Sequence, residues 1–100
     1  MKLWIDDVRP APEGYIHIRS VNVAKKYIEL HTNNTRNPIE LIDIDHDAGD
    51  YAHLGGDYIK LLDWLEETGR NYPIHIHSMN AVGVQNMRAI IERNGWKEVF

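Results

Sequence analysis

The sequence predicts an α/β protein with a three-layer, doubly wound and mostly parallel sheet of five strands. Short runs rich in β-branched residues alternate along the chain with segments whose apolar residues recur at helical spacing. The 100 residues are 43% hydrophobic, which suits a single domain over residues 1–100. This alternation favours a parallel sheet covered by helices over a β-sandwich.

The strand-like runs lie at residues 3–5, 15–18, 39–44 and 74–77, and residues 97–100 are a candidate last strand. Between the first two runs the chain reads DDVRPAPEGY, which has two prolines and too few residues for a helix with its turns. The first crossover helix is therefore predicted to be truncated or missing. Antiparallel pairing of the first two strands remains open.

Three later helices are predicted from their caps and apolar stripes. Ser20 is expected to cap a helix that runs to about residue 30, and Asp57 one that runs to about residue 68 and stops at Gly69. Asn80 is expected to cap a third helix that ends at Gly95. The residues predicted to face the core are Ala24, Tyr27, Ile28 and His31 in the first helix, Ile59, Leu62 and Leu65 in the second, and Val84, Met87, Ile90 and Ile91 in the third.

Polar side chains follow three of the strands at the point where each ends. In an open α/β sheet, ligands bind beyond the carboxyl ends of the strands, where the strand order reverses. We therefore expect these three strand ends to meet in one crevice. The side chains concerned are Asp6 and Asp7 after the first strand, Asp43, Asp45 and Asp47 at the third, and His75, His77 and Ser78 at the fourth.

This crevice has the composition of a metal site. Clustered carboxylates repel one another when they are partly desolvated, and a divalent cation would relieve that repulsion. Ligation by Asp6, Asp7 and Asp45 would suit Mg²⁺ or Mn²⁺, whereas recruitment of His46 or of a fourth-strand histidine would favour Mn²⁺, Fe²⁺ or Zn²⁺.

Each of these residues also has a simpler structural interpretation. An Asp-Asp pair at a strand end commonly begins a turn, and His75 lies deep enough in its strand to be a hydrogen-bonded core residue. Ser78 and Asn80 are placed to cap the following helix. The functional interpretation is favoured because three separate strand ends carry polar groups at the binding edge of this fold.

The segments LWIDD, LIDIDHD and IHIHSMNA resemble, in order and spacing, the site of response-regulator receiver domains. That resemblance implies a flavodoxin-like fold. By it, Asp6 and Asp7 match the acidic pair that holds Mg²⁺, and Ser78 matches the hydroxyl residue after the fourth strand. Asp45, or less well Asp43, matches the aspartate that accepts a phosphoryl group and contributes to the metal site.

Two departures point to a narrower family. Receivers carry a lysine after the fifth strand, whereas Lys97 precedes the last predicted strand here, and the segments DDVRP, DHD and HSMN form a histidine-rich pattern that ordinary receivers lack. From residue 2 to residue 94 the chain more closely resembles the cyclic-phosphate-processing receiver domains. This resemblance implies metal-dependent processing of a phosphate ester, with hydrolysis of a cyclic phosphate at an RNA end or in a nucleotide as the expected reaction.

Opening a cyclic phosphodiester needs neutralised phosphoryl oxygens, a base for water and an acid for the leaving oxygen. The expected catalytic set is Asp45 and Ser78, with His46 or His77 exchanging protons. The groups expected to bind phosphate are Arg9, Ser78 and the amides that begin the helix after Asn80.

Two other functions remain open at this stage. One is a signalling receiver that accepts phosphate on Asp45, and the other is a non-catalytic module that binds metal or phosphate.

Charge and composition narrow the partners. A net charge of −4 without a basic stripe disfavours extended nucleic-acid binding and leaves a small phosphate-bearing ligand or a strand end. The absence of cysteine and of a membrane-length apolar run leads us to expect a cytoplasmic protein. The exposed face of the last helix and the short edge strand are candidate surfaces for a homodimer.

Overall fold

The computed structural model describes residues 1–100 and contains a fully parallel four-stranded sheet with three α-helices. The strands are β1 (Lys2–Ile5), β2 (Tyr15–Ile18), β3 (Leu41–Ile44) and β4 (Ile74–Ile76), in the order β2-β1-β3-β4. The helices are α1 (Val21–His31), α2 (Ile59–Glu67) and α3 (Ala81–Asn94), and one 3₁₀ turn covers Gly49–Tyr51. This order is that of flavodoxin-like sheets, so the predicted flavodoxin-like α/β class with a parallel sheet is confirmed.

The connection between β1 and β2 is a loop. The two strands pair in parallel, with Leu3 opposite Ile16 and Ile5 opposite Ile18, so the antiparallel alternative is excluded. Residues 6–14 make this crossover without any helix. The predicted loss of the first helix is therefore confirmed.

The predicted fifth strand is reduced to a single parallel bridge between Ile74 and Glu98. The N–H of Val99 donates to the carbonyl of Ile74 at 2.7 Å. In a longer ladder the carbonyl of Val99 would accept from the N–H of Ile76, but that carbonyl instead lies 2.7 Å from Nδ1 of His75. The His75 side chain thus occupies the carbonyl of Val99, which would otherwise accept the next hydrogen bond of a fifth strand.

All three helices lie on one face of the sheet. The connections from β2 to β3, from β3 to β4 and from β4 to residues 97–99 all run in the same direction across the sheet, and right-handed crossovers then place their helices on the same side. The only connection in the opposite direction is the loop of residues 6–14, so the predicted third layer is missing from this chain. The core lies between the helices and the isoleucine-rich face that includes Ile5, Ile42, Ile44 and Ile74.

Two of the three predicted helix caps are confirmed. Oγ of Ser20 accepts from the N–H of Val23 at 3.2 Å, and Oδ1 of Asn80 accepts from the N–H of Gly83 at 2.9 Å. The end of α3 at Gly95 is also confirmed, since that residue has the left-handed φ of 65° that glycine adopts readily.

Asp57 does not cap α2. Tyr58 occupies the N-cap position and makes no capping bond with its side chain. Oδ1 of Asp57 instead accepts from the N–H of Ala48 at 3.0 Å, because the loop after β3 folds back against this carboxylate. None of the helices has the length and apolarity needed to cross a membrane.

Candidate functional site

Side chains from the ends of β1, β3 and β4 meet at the carboxyl edge of the sheet. Asp6, Asp45 and His77 each offer a donor atom, and these atoms lie within 4.8 Å of one another. The site lies where β2 and β3 leave opposite sides of β1, which is the point at which the strand order reverses. The expected convergence of three strand ends is confirmed for these side chains.

His77 is enclosed by two buried carboxylates. Its Nδ1 lies 2.5 Å from Oδ1 of Asp43, and its Nε2 lies 2.8 Å from Oδ2 of Asp6. Asp6 is completely buried, Asp43 is 5% exposed, and the His77 side chain is 8% exposed. The imidazole also stacks on Trp4, with ring centroids 3.8 Å apart and planes at 4°. The ring is thus held at both nitrogens and across one face.

These contacts shift both partners toward their charged forms. Burial alone would raise the pKa of Asp6, but hydrogen bonds from the N–H of Arg9, from His77 and from the N–H of Val8 outweigh it and lower that pKa. Burial alone would lower the pKa of His77, but its hydrogen bonds to Asp43 and Asp6 raise it instead. Without a metal, the arrangement favours an imidazolium between two carboxylates.

Asp7 and Asp45 supply the less buried carboxylates. Burial raises the pKa of Asp7, and the negative charges of Asp6 and Asp45 raise it further. Oδ1 of Asp45 accepts from the N–H of His46 at 2.7 Å. Gly49 has a φ of 51°, and a Cβ there would overlap the Asp7 carboxylate. The Asp7 side chain can therefore lie in this position only because residue 49 is a glycine. A divalent cation would relieve the repulsion among these acids.

His46 forms a second polar group beside the first. Its Nδ1 lies 2.7 Å from Oδ1 of Asp47, and Nδ2 of Asn80 donates to the same oxygen at 3.2 Å. His46, Asp47 and Asp57 also have donor atoms close enough together to hold an ion. Nε2 of His46 makes no hydrogen bond within the protein, and the side chain is 14% exposed. A histidine with one nitrogen paired to a carboxylate and the other free is suited to exchange a proton.

The His46 ring lies directly against the first turn of α3. A Cβ built on Gly83 would come within 2.5 Å of Cδ2 and Cγ of this ring. The His46 ring can therefore occupy this position only because residue 83 is a glycine and has no Cβ.

Replacing Gly83 with alanine is expected to move the His46 ring and to break its contact with Asp47. Alanine is favoured over glycine in a helix by about 1 kcal/mol, which limits the loss of stability. The NMR resonances of His46 should therefore shift, with little loss of folded protein. Val82→Ala, at a neighbouring site that is 67% exposed, is the control. Unchanged His46 resonances would show that the helix yields instead of the ring.

The other predicted residues have mainly local contacts. Arg9 is exposed, and its carbonyl accepts from Nε1 of Trp4 at 3.0 Å. Oγ of Ser78 accepts from the N–H of Asn80 at 3.1 Å, so this hydroxyl supports the turn before α3. His75 contacts the C-terminal segment and not the acidic cluster, as its structural interpretation predicted.

Sequence reasoning missed part of this site. It placed Asp43 in the crevice but gave it no role beyond that of an alternative phosphoacceptor, and it gave no role to Trp4, Gly49 or Gly83. Asp43 and Trp4 each precede a predicted site aspartate by two residues and are paired in the sheet register. That spacing puts them on the same face of their strands as the site, and was the available signal.

The parallel strand order and the acidic carboxyl edge of the sheet define a receiver-type domain that lacks the helix between its first two strands. A family model for the cyclic-phosphate processing receiver domain matches residues 1–93, so the chain belongs to this family. The family name ties the domain to cyclic-phosphate processing. Neither the curated proteins nor the solved structures gave a significant match to this chain.

Proposed function

We propose that this domain hydrolyses a cyclic phosphate ester, at an RNA end or in a nucleotide, with a divalent metal held at the acidic edge. The observation that carries the proposal is the meeting of Asp6, Asp45 and His77 donor atoms within 4.8 Å, beside a histidine with a free nitrogen. The family name supports a cyclic-phosphate substrate. The donor set fits a metal, because it brings two carboxylate oxygens and an imidazole nitrogen within 4.8 Å of one another.

A divalent ion bound here would supply positive charge at the phosphoryl oxygens. Nε2 of His46 takes a proton from water as the water oxygen bonds to phosphorus. The phosphorus bond to the leaving ribose oxygen breaks, and that oxygen receives the proton from His46. One water is consumed and a phosphate monoester is formed. Arg9, Ser78 and the first amides of α3 orient the phosphate.

The geometry favours His46 over His77 as the group that exchanges protons. Both nitrogens of His77 are engaged by carboxylates, and its side chain is 8% exposed. Nε2 of His46 is unpaired. A proton-transfer group must reach the reacting oxygen directly or through one water, and only His46 has a nitrogen available for this.

The reaction is tested by incubating the protein with an RNA oligomer that ends in a 2′,3′-cyclic phosphate. Phosphorus NMR should show conversion to a monoester with Mg²⁺, Mn²⁺ or Zn²⁺ and none with EDTA. Absence of conversion with every metal would withdraw the catalytic proposal and leave a binding module.

His46→Gln is expected to lower the turnover number by at least about 100-fold, because general acid–base catalysis contributes that much or more. The fold should be retained, since glutamine can keep a hydrogen bond to Asp47. The same NMR assay measures the effect. His53→Gln, at an exposed position of the same loop, is the matched control. Turnover within threefold of wild type in His46→Gln would assign the proton transfer elsewhere.

A phosphoacceptor role for Asp45 is the second candidate function. One observation favours it: Oδ1 of Asp45 accepts from the N–H of His46, while the other carboxylate oxygen makes no hydrogen bond within the protein. Treatment with acetyl phosphate and Mg²⁺, followed by intact-mass measurement, distinguishes the two. A phosphoryl adduct that hydroxylamine removes and that is absent in Asp45→Asn would support signalling, and its absence from wild type would favour hydrolysis.

A further inference from the structure

We infer that His77 is a nitrogen ligand of the metal and that Asp43 is the residue that positions it, so that the site prefers Mn²⁺, Fe²⁺ or Zn²⁺ to Mg²⁺. This inference rests on the metal site of the proposed function and not on the reaction. It assigns Asp43 a role distinct from that of a phosphoacceptor.

The first support is the hydrogen bond that Asp43 accepts. Its Oδ1 lies 2.5 Å from Nδ1 of His77, and both side chains are more than nine-tenths buried. In the metal-free protein a carboxylate lies at each ring nitrogen, so a metal would take the place of the proton between Nε2 and Asp6. The carboxylate at Nδ1 then keeps the other proton on that nitrogen, and the lone pair of Nε2 binds the metal. Histidine ligands in metalloproteins are commonly held by a carboxylate in this way.

The second support is the spacing of the donor atoms. Adjacent ligands of an octahedral ion with bonds of about 2.1 Å lie about 3.0 Å apart. Nε2 of His77 and Oδ2 of Asp6 are separated by 2.8 Å. The other Asp6 oxygen already accepts two backbone N–H groups, at 2.9 and 2.8 Å, so Oδ2 is the oxygen directed at the site. Asp45 offers a third donor atom within 4.8 Å of the other two.

The third support is the stacking of Trp4 on His77. The parallel rings, 3.8 Å apart, restrict rotation of the imidazole out of the site. The indole is itself fixed by a hydrogen bond from Nε1 to the carbonyl of Arg9 at 3.0 Å. A preorganised nitrogen donor favours the transition metals and zinc, whereas Mg²⁺ prefers oxygen ligands.

The direct test is NMR of the wild-type protein labelled with ¹⁵N in its histidines. With saturating Zn²⁺, the His77 ring should show a protonated Nδ1 and a metal-bound Nε2, while Mg²⁺ should leave Nε2 unbound. A protonated Nε2 at saturating Zn²⁺, or no binding of any divalent ion, would overturn the inference. This measurement needs no variant and no turnover.

Calorimetric titrations of variants test the positioning role. His77→Gln should weaken Zn²⁺ binding at least 100-fold and remove the preference for Zn²⁺ over Mg²⁺. Asp43→Asn should weaken Zn²⁺ binding by about 10- to 100-fold, because supporting partners of ligating histidines have effects of that size. His75→Gln, on the same strand but bonded to the C-terminal segment, should bind Zn²⁺ normally.

The two proposals fail in different ways. Binding through His77 without conversion of a cyclic phosphate would retain this inference and remove the reaction. Conversion supported by Mg²⁺ alone, with unchanged metal affinity in His77→Gln, would retain the reaction and overturn this inference.

Discussion

Asp45→Asn is expected to abolish metal-dependent conversion of a cyclic phosphate while leaving the metal-free protein at least as stable as wild type. Asparagine keeps the size of the side chain but removes a negative charge from the proposed metal site. The carboxylates of Asp6 and Asp45 add to the burial that raises the pKa of Asp7. Removing the charge of Asp45 therefore relieves repulsion in the folded state and at the same time weakens metal binding.

Two measurements on the same sample separate these effects. Phosphorus NMR should show turnover reduced by about 1000-fold, the upper end of the loss seen when one group that stabilises charge electrostatically is removed. Thermal unfolding should show no loss of stability in EDTA and no stabilisation by added metal. Asp50→Asn is the control, because Asp50 is an exposed acid in the same connection. A metal-induced rise in Tm equal to that of wild type would show that Asp45 does not contribute to the metal site.

The positions of the site residues could be predicted from the sequence wherever the ends of the strands could be predicted. A strand end fixes where a side chain lies along the sheet, and alternation fixes its face, so Asp6, Asp45 and His77 follow from the pattern and the strand order. The helix caps at Ser20 and Asn80 were predictable for a similar reason, since each involves residues only three positions apart.

What could not be predicted depends on contacts between distant parts of the chain. Asp57 has the residue type and position of a helix cap, but its carboxylate binds the N–H of Ala48, nine residues earlier. The close approach of Gly83 to the ring of His46 likewise joins two different connections. Neither contact leaves a local pattern in the sequence.

The roles of the two site histidines were also beyond sequence reasoning. Both follow strands, and both neighbour acids in the fold. They differ in that His77 has carboxylates at both nitrogens, whereas His46 has one at Nδ1 alone. A ring nitrogen that is already bonded to a carboxylate is not free to exchange a proton with a substrate. The two histidines can therefore be told apart only from their hydrogen-bond partners in the tertiary structure.

His77→Gln is expected to destabilise the metal-free protein by about 3 kcal/mol at pH 6, because removing one partner leaves buried charges unpaired. Asp6 is completely buried and Asp43 is 5% exposed, so neither carboxylate can be rehydrated without local unfolding. Glutamine can donate to one of them but carries no positive charge. Urea unfolding in EDTA measures the difference between the two proteins.

The stability difference between wild type and His77→Gln should depend on pH if His77 stabilises the fold as an ion pair, and should not if it acts only through packing. Since the hydrogen bonds to Asp43 and Asp6 raise the pKa of His77, its stabilisation is complete below the ordinary value of about 6.5 and is lost as the pH rises through the raised pKa. The lowered pKa of Asp6 matters at low pH, because the stabilisation that the ionised Asp6 contributes is lost as the pH falls below about 4. The gap between wild type and His77→Gln should therefore narrow from pH 6 to pH 9. A gap that stays constant over this range would mean that His77 acts through shape, and its charge would then have no part in holding the ends of β1, β3 and β4 together.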